Sequence, residues 1–135
     1  MSANELFLLA DQPMEAVIRR IRLGLPANSF NQMALALGLP KKSLAVKLRV
    51  APRTINRQQK TRSRLSAETS EKVMRLVRIR NFARQIFTDD RTVADWLAKP
   101  DGALGGTAPI DLLDTDVGAR SVESLLQGMI YGNVI

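Results

Sequence analysis

A chain of 135 residues, 45% of them hydrophobic, suits one or two small domains with a modest core. Cysteine and histidine are absent, which excludes disulfides, thiolate metal sites, a cysteine nucleophile and the commonest general base. The net charge of +7 is uneven: residues 1–40 are neutral, residues 41–84 hold fourteen basic and two acidic side chains, and residues 85–135 hold three basic and eight acidic ones. So basic a middle favours a polyanion through counterion release. The acidic end, repelled by the same polyanion, is expected to face away from it.

No stretch is long and apolar enough to span a bilayer. The short apolar run Leu6 to Ala10 follows Glu5 and no basic residue, unlike a secretory signal. A cytoplasmic protein that makes no membrane contact is expected.

In chain order, residues 1–12 read as a flexible N-terminus whose few apolar residues can dock on a partner. Pro13 to Leu23 is predicted helical, with Met14, Val17, Ile18 and Ile21 as its apolar stripe and Gly24 as its end. After the turn Leu25-Pro26-Ala27-Asn28, Ser29 is expected to cap a second helix that runs through Leu37. Phe30, Met33, Ala34 and Leu37 point inward, and Gly38 and Pro40 end it. Both helices read as packing supports for the segment that starts at Ser43.

Ser43 to Lys60, SLAVKLRVAPRTINRQQK, reads as a helix-turn-helix. Leu44, Ala45 and Leu48 give a short first helix one apolar face. Val50 and Ala51 make the turn, Pro52 starts the second helix, and Ile55 points back to the core. Such turns commonly hold glycine where this chain has Arg49, so the backbone there must reach its conformation without that help. Arg53, Asn56, Arg57 and Lys60 recur at i, i+3, i+4 and i+7 and therefore share a face. Cations suit phosphates, while Arg and Asn suit guanine and adenine edges. The candidate DNA contacts are Arg53, Thr54, Asn56, Arg57, Lys60 and, in the basic loop after them, Arg62. A plain helical hairpin with a solvated charged face is the competing reading.

The longest helix is predicted over about Ser66 to Phe87, capped by Ser66, with Glu68 and Glu71 at its positive end. Val73, Met74, Leu76, Val77, Phe82, Ala83, Ile86 and Phe87 form a wide apolar face. Lys72, Arg75, Arg78 and Arg80 cover the rest, as a solvated surface or as contacts to phosphates or an acidic partner. Asp89 and Asp90 can cap a short helix, Arg91 to Ala98, that buries Trp96 and Leu97. Lys99-Pro100-Asp101-Gly102 is a tight turn. Gly105 and Gly106 lack the Gly-Lys-Ser/Thr of a phosphate loop and have no strand before them. They and Pro109 shape the approach to a last helix. Ile110, Leu112 and Leu113 make one apolar turn. Asp114 or Thr115 then caps Asp116 to Tyr131, with Val122, Leu125, Leu126, Met129 and Ile130 as its stripe. No strand pattern appears, so the fold class is all-α. Paired carboxylates at Asp89 and Asp90 and at Asp114 and Asp116 stand at helix starts, where capping explains them. Without histidine, cysteine or a metal-ligand cluster, no enzyme, cofactor or metal is expected.

A series of motifs carries a resemblance. Arg53-Thr54, Leu65-Ser66, Glu68 to Glu71, Trp96-Leu97, Pro100, Ala103-Leu104-Gly105-Gly106, Pro109 to Thr115, Gly118-Ala119-Arg120, Val122-Glu123 and Tyr131-Gly132 occur in the order found in the Xre/MbcA/ParS antitoxins of RES-type toxin–antitoxin pairs. The chain resembles that family over roughly residues 27 to 135. The C-terminal string is the specific part, and the N-terminus departs from the pattern. After the flexible start at 1–12, the resemblance implies a two-part protein: an Xre-like helix-turn-helix domain, placed at 13–64, that represses its own operon, and a helical toxin-binding domain, placed at 65–135, reached through the long helix. It further implies a RES-domain toxin as partner, a class associated with NAD+ degradation or ADP-ribosyl transfer. The toxin would be neutralised by occlusion of its active site.

An apolar stripe with small residues can lie in such a groove, and Leu125, Ile130, Tyr131, Val134 and Ile135 are the candidate anchors. Acidic residues of this region would suit a basic nucleotide site. One recognition helix makes few base contacts, so a homodimer on operator DNA is expected, with a higher-order complex once the toxin joins. The alternative is a plain dimeric helix-turn-helix regulator whose C-terminal part only dimerises.

Overall fold

The computed structural model describes residues 1–132, and these form helices and turns with no named strand among them. The helices are α1 (Ala3–Leu9), α2 (Met14–Leu23), α3 (Asn28–Ala36), α4 (Lys41–Lys47), α5 (Pro52–Lys60), α6 (Ala67–Ala83), α7 (Asp90–Ala98) and α8 (Asp116–Ile130). Two 3-10 turns, Gly102–Leu104 and Pro109–Leu112, lead into α8. The all-α class holds, and α4 and α5 are the expected helix-turn-helix. Among the described residues no helix is long and apolar enough to cross a membrane.

The axis of the molecule is α6. Val73, Leu76, Val77, Ile79 and Ala83 are fully buried on it, so it is apolar over more than one face. It packs against α1, α2, α3, α7 and α8. Ser66 caps it as expected, its Oγ accepting from the Thr69 amide at 3.1 Å. The helix stops at Ala83, four residues short of the predicted Phe87. The amides of Ile86 and Phe87 both turn back to the Ala83 carbonyl, at 2.9 and 2.8 Å. Phe87 then meets Trp96 of α7, ring centroids 5.8 Å apart. Apolar side chains at 86 and 87 find cover by folding back toward α7, which a longer α6 would forfeit. Trp96, expected to be buried, is only half-buried in this stack, whereas Leu97 is 2% exposed.

Three further expectations change. Residues 1–12 are not a loose start: Ser2 caps α1, and Leu6 is fully buried, with Phe7 and Leu9 nearly so. The Arg80 guanidinium lies 3.7 Å over the Phe7 ring, and Asn81 Nδ2 donates to the Phe7 carbonyl at 2.7 Å. A run as short as Leu6 to Leu9 shows no periodicity, which is why the sequence hid this helix. Ser29 does not cap α3. It stands inside the helix, fully buried, with no partner for its Oγ among the described residues. Ala27 takes the capping position instead. Finally, α2 has the predicted stripe but buries no residue completely: Met14 is 72% exposed and Ile18 38%.

Candidate nucleic-acid and partner-binding surfaces

The helix-turn-helix is fixed from below by Leu44, Ala45, Leu48 and Ile55, all fully buried. Gln59 ties its second helix to its neighbours: Lys41 Nζ donates to Gln59 Oε1 at 2.6 Å, and Gln59 Nε2 donates to Asn31 Oδ1 at 3.0 Å. Arg53, Asn56, Arg57 and Lys60 are exposed along the outer side of α5, with Thr54 half-buried beside them. Lys41 and Lys42 of α4 border the same shallow groove as Arg53 and Asn56. The sequence reading missed these two lysines, because only folding brings the start of α4 beside α5.

Three consecutive helices end in the same two-bond pattern, the Schellman motif. After α3, Leu39 N donates to Ala34 O and Gly38 N to Leu35 O, at 2.9 and 3.1 Å. After α4, Val50 N donates to Ala45 O and Arg49 N to Val46 O, at 2.8 and 3.1 Å. After α5, Ser63 N donates to Gln58 O and Arg62 N to Gln59 O, at 2.8 and 3.3 Å. Each motif needs one left-handed residue, and these are Gly38 (φ 64), Arg49 (φ 55) and Arg62 (φ 53). Glycine meets the requirement without a steric cost and arginine does not. Both helices of the helix-turn-helix thus end on a strained arginine, which confirms the turn position that the sequence singled out at Arg49.

The charges sort themselves across the fold. Lys47 pairs with Asp111 and Arg49 with Asp114, both at 2.9 Å. Arg78 pairs with Glu123 at 2.6 Å, Arg80 with Asp90 at 2.8 Å, and Arg84 with Asp90 at 3.2 Å. Arg75 Nη1 donates to the Leu113 carbonyl at 3.2 Å. Of the α6 cations read as solvated or partner-facing, Arg75, Arg78 and Arg80 therefore hold the acidic C-terminal part in place, while Lys72 meets Glu68 of its own helix. That part does not simply face away from the basic middle, since four of its carboxylates meet it directly. By contrast, the side chains of Lys42, Arg53, Arg57, Lys60 and Arg62 make no hydrogen bond or ion pair among the described residues. Of the fourteen cations of residues 41–84, these five are the ones left without a partner among the described residues.

The C-terminal surface is built by α7, the two 3-10 turns and α8. Asp89 caps α7, its Oδ1 accepting from the Thr92 amide at 2.8 Å and from Thr92 Oγ1 at 2.7 Å. Those hydrogen bonds, the amide first, hold the Asp89 carboxyl below its ordinary range, helped by Arg84 and Arg91. Thr115 caps α8, its Oγ1 accepting from the Gly118 amide at 3.0 Å, which leaves Asp114 free to hold Arg49. Gly118, Ala119, Val122 and Leu126 form the buried face of α8, against α6. On the opposite side, Val117, Ser121, Ser124, Gly128 and Tyr131 recur at i, i+4, i+7, i+11 and i+14. Val117 and Tyr131 are each 74% exposed, with only small residues between them. Of the candidate anchors, Tyr131 is exposed on this side, Leu125 is half-buried on its flank, Ile130 is half-buried next to the buried face, four residues from Leu126, and Val134 and Ile135 lie outside the described residues. Val117 was absent from the candidates because it falls off the apolar stripe that the periodicity picks out.

Comparison with known proteins matches two stretches of the chain. Residues 16–78 match the antitoxin Xre-like helix-turn-helix domain, and residues 82–132 match the antitoxin Xre/MbcA/ParS C-terminal toxin-binding domain. The matches meet near the end of α6. An "Antitoxin Xre" of Yersinia enterocolitica is 26% identical over 117 residues, covering 86% of this chain and 79% of the relative. A "Prs ADP-ribosylating antitoxin" of a Sphingobium species is 30% identical over 115 residues, covering 78% of this chain and 72% of the relative. A second "Antitoxin Xre", from Photorhabdus laumondii, is 30% identical over 83 residues, covering 61% of this chain and 56% of the relative.

Proposed function

The chain belongs to the Xre/MbcA/ParS antitoxin family, and we propose that it neutralises a RES-domain toxin by laying the outer side of α8 over the toxin's active-site cleft. One observation carries this reading. Within residues 82–132 the exposed large apolar side chains are Val117, Met129 and Tyr131, and all lie on α8 or at its end. Between Val117 and Tyr131 the helix presents Ser121, Ser124 and Gly128, so a partner can approach its backbone closely. Leu125, Ile130, Val134 and Ile135 are the further anchors in this reading. The chain blocks rather than reacts: its part is shape, and no catalytic step falls to it. A toxin that consumes NAD+ or transfers ADP-ribose agrees with the name of the Sphingobium relative.

The same chain represses its own operon in this account. It sets α5 into the major groove, with Arg53, Thr54, Asn56 and Arg57 toward base edges and Lys60 and Arg62 toward phosphates. Arg62 supports this specifically. Its left-handed backbone is strained, and among the described residues nothing bonds its side chain. A phosphate at the end of α5 would offset that strain. Two half-sites require two copies, so the operator-bound form is a homodimer in the cytoplasm, and the toxin joins it in a larger complex.

The test is a toxicity rescue. The neighbouring reading frame is expressed alone and then with this chain, while growth and cellular NAD+ are followed. Growth arrest with NAD+ loss, both reversed by the chain, is the expected result. A harmless neighbour and steady NAD+ would contradict the antitoxin mechanism and leave a plain dimeric regulator.

A further inference from the structure

Arg49 and Arg62 occupy equivalent left-handed positions, after α4 and α5, but among the described residues only Arg49 is held from outside its own helix. Its Nε donates to Asp114 Oδ2 at 2.9 Å. Its carbonyl accepts from Lys72 Nζ of α6 at 3.4 Å. Asp114 is the residue before the Thr115 cap of α8, and its side chain is only 16% exposed, so it is anchored. The Arg49 side chain is 81% exposed, so burial does not hold it in place. The turn between α4 and α5 therefore rests on two bonds that reach it from elements beyond the helix-turn-helix.

We infer that Asp114 is a positioning residue for the helix-turn-helix: acting through Arg49, it holds the turn in the left-handed conformation that glycine would adopt unaided. The inference rests on the DNA-binding role of α4 and α5 proposed above. Its consequence is a direct mechanical link. The residue just before the cap of the helix proposed to meet the toxin and the turn of the unit proposed to meet DNA share one ion pair. An occupant seated on Val117, three residues along from Asp114, bears on that pair.

Four full-length proteins decide it: the natural chain, Asp114→Asn, Arg49→Gly, and both together. Amide hydrogen exchange reads the turn at Arg49 and Val50, whose amides make the two Schellman bonds. Affinity is measured for duplex DNA carrying the segment upstream of the chain's own reading frame. Asp114→Asn alone should speed exchange at Arg49 and Val50 about threefold, as expected for losing a surface ion pair, and leave Leu44 and Ile55 unchanged. DNA affinity should fall by a similar factor. That direction matters, because removing a carboxylate from a protein that binds a polyanion raises affinity by itself. With glycine at 49, Asp114→Asn should neither speed exchange nor weaken binding.

Unchanged exchange in the Arg49 background, or an equal effect in both backgrounds, overturns the inference. So does DNA affinity that rises on Asp114→Asn in the Arg49 background. Failure of the natural chain to bind any of this DNA would instead contradict the repressor role, with the exchange data still deciding whether Asp114 holds the turn.

Discussion

A β-carbon at Gly118 would stand 1.8 Å from the Leu112 carbonyl oxygen. The first turn of α8 sits directly on the 3-10 turn before it, and the backbone there has no room to give. Gly118→Ala should cost about 3 kcal/mol and lower the melting temperature by roughly 10 °C, measured by calorimetry. In the sequence Gly118 was one letter of a motif, and its spacing gave no sign of close approach. Asp89 makes a different prediction at this scale. Its carboxyl is held below its ordinary value by the Thr92 amide and hydroxyl, so its capping contribution is complete above the ordinary aspartate range. That contribution is lost as pH falls through the lowered folded value. Asp89→Asn keeps an oxygen acceptor without the titration, and should flatten the acid side of the stability profile followed by circular dichroism. Capping itself was legible at Ser66, Asp89 and Thr115. It misled at Ser29, where a serine preceding an apolar helix is buried inside it.

Among the elements, α5 was the most legible, because its chemistry lies on its exposed side and the four-residue spacing displays it. Replacing Arg53 or Asn56 by Ala should relax the preference for one DNA sequence over another. Replacing Lys60 or Arg62 should weaken binding on every sequence and reduce the salt slope by about one each. Filter-binding or anisotropy titrations at several salt concentrations separate the two classes. The ends of α6 were legible unequally. Its start has a capping serine, whereas its end has no breaker, and only the contact of Phe87 with Trp96 shows why the chain turns. The N-terminal helix α1 was invisible because seven residues give too little pattern. What fixes it is tertiary: Leu6 in the core and Phe7 beneath Arg80.

Across the whole molecule, the charge blocks of the sequence were real but their meaning was incomplete. A basic middle and an acidic end suggested two surfaces kept apart. The fold instead joins part of one to part of the other through Lys47, Arg49, Arg78, Arg80 and Arg84, and within residues 41–84 the cations left without a partner among the described residues are Lys42, Arg53, Arg57, Lys60 and Arg62. Pairing partners far apart in the chain cannot be read from composition, and only the packing around α6 reveals them. The partner surface obeys the same logic. Periodicity marks the apolar stripe of α8, but that stripe faces the core in large part, and the side left exposed is the one with small residues between Val117 and Tyr131.

Ser124 lies at the middle of that side, seven residues from each end, and it is exposed. The most direct measurement is therefore toxin rescue by the full chain carrying Ser124→Arg, with its melting curve and DNA binding recorded in parallel. An arginine there should abolish rescue, because it blocks close approach to α8, while the fold stays as in the natural chain and DNA affinity does not fall, the added charge acting on a polyanion only in the favourable direction. Full rescue by this variant would contradict the account and move the toxin contact to another face.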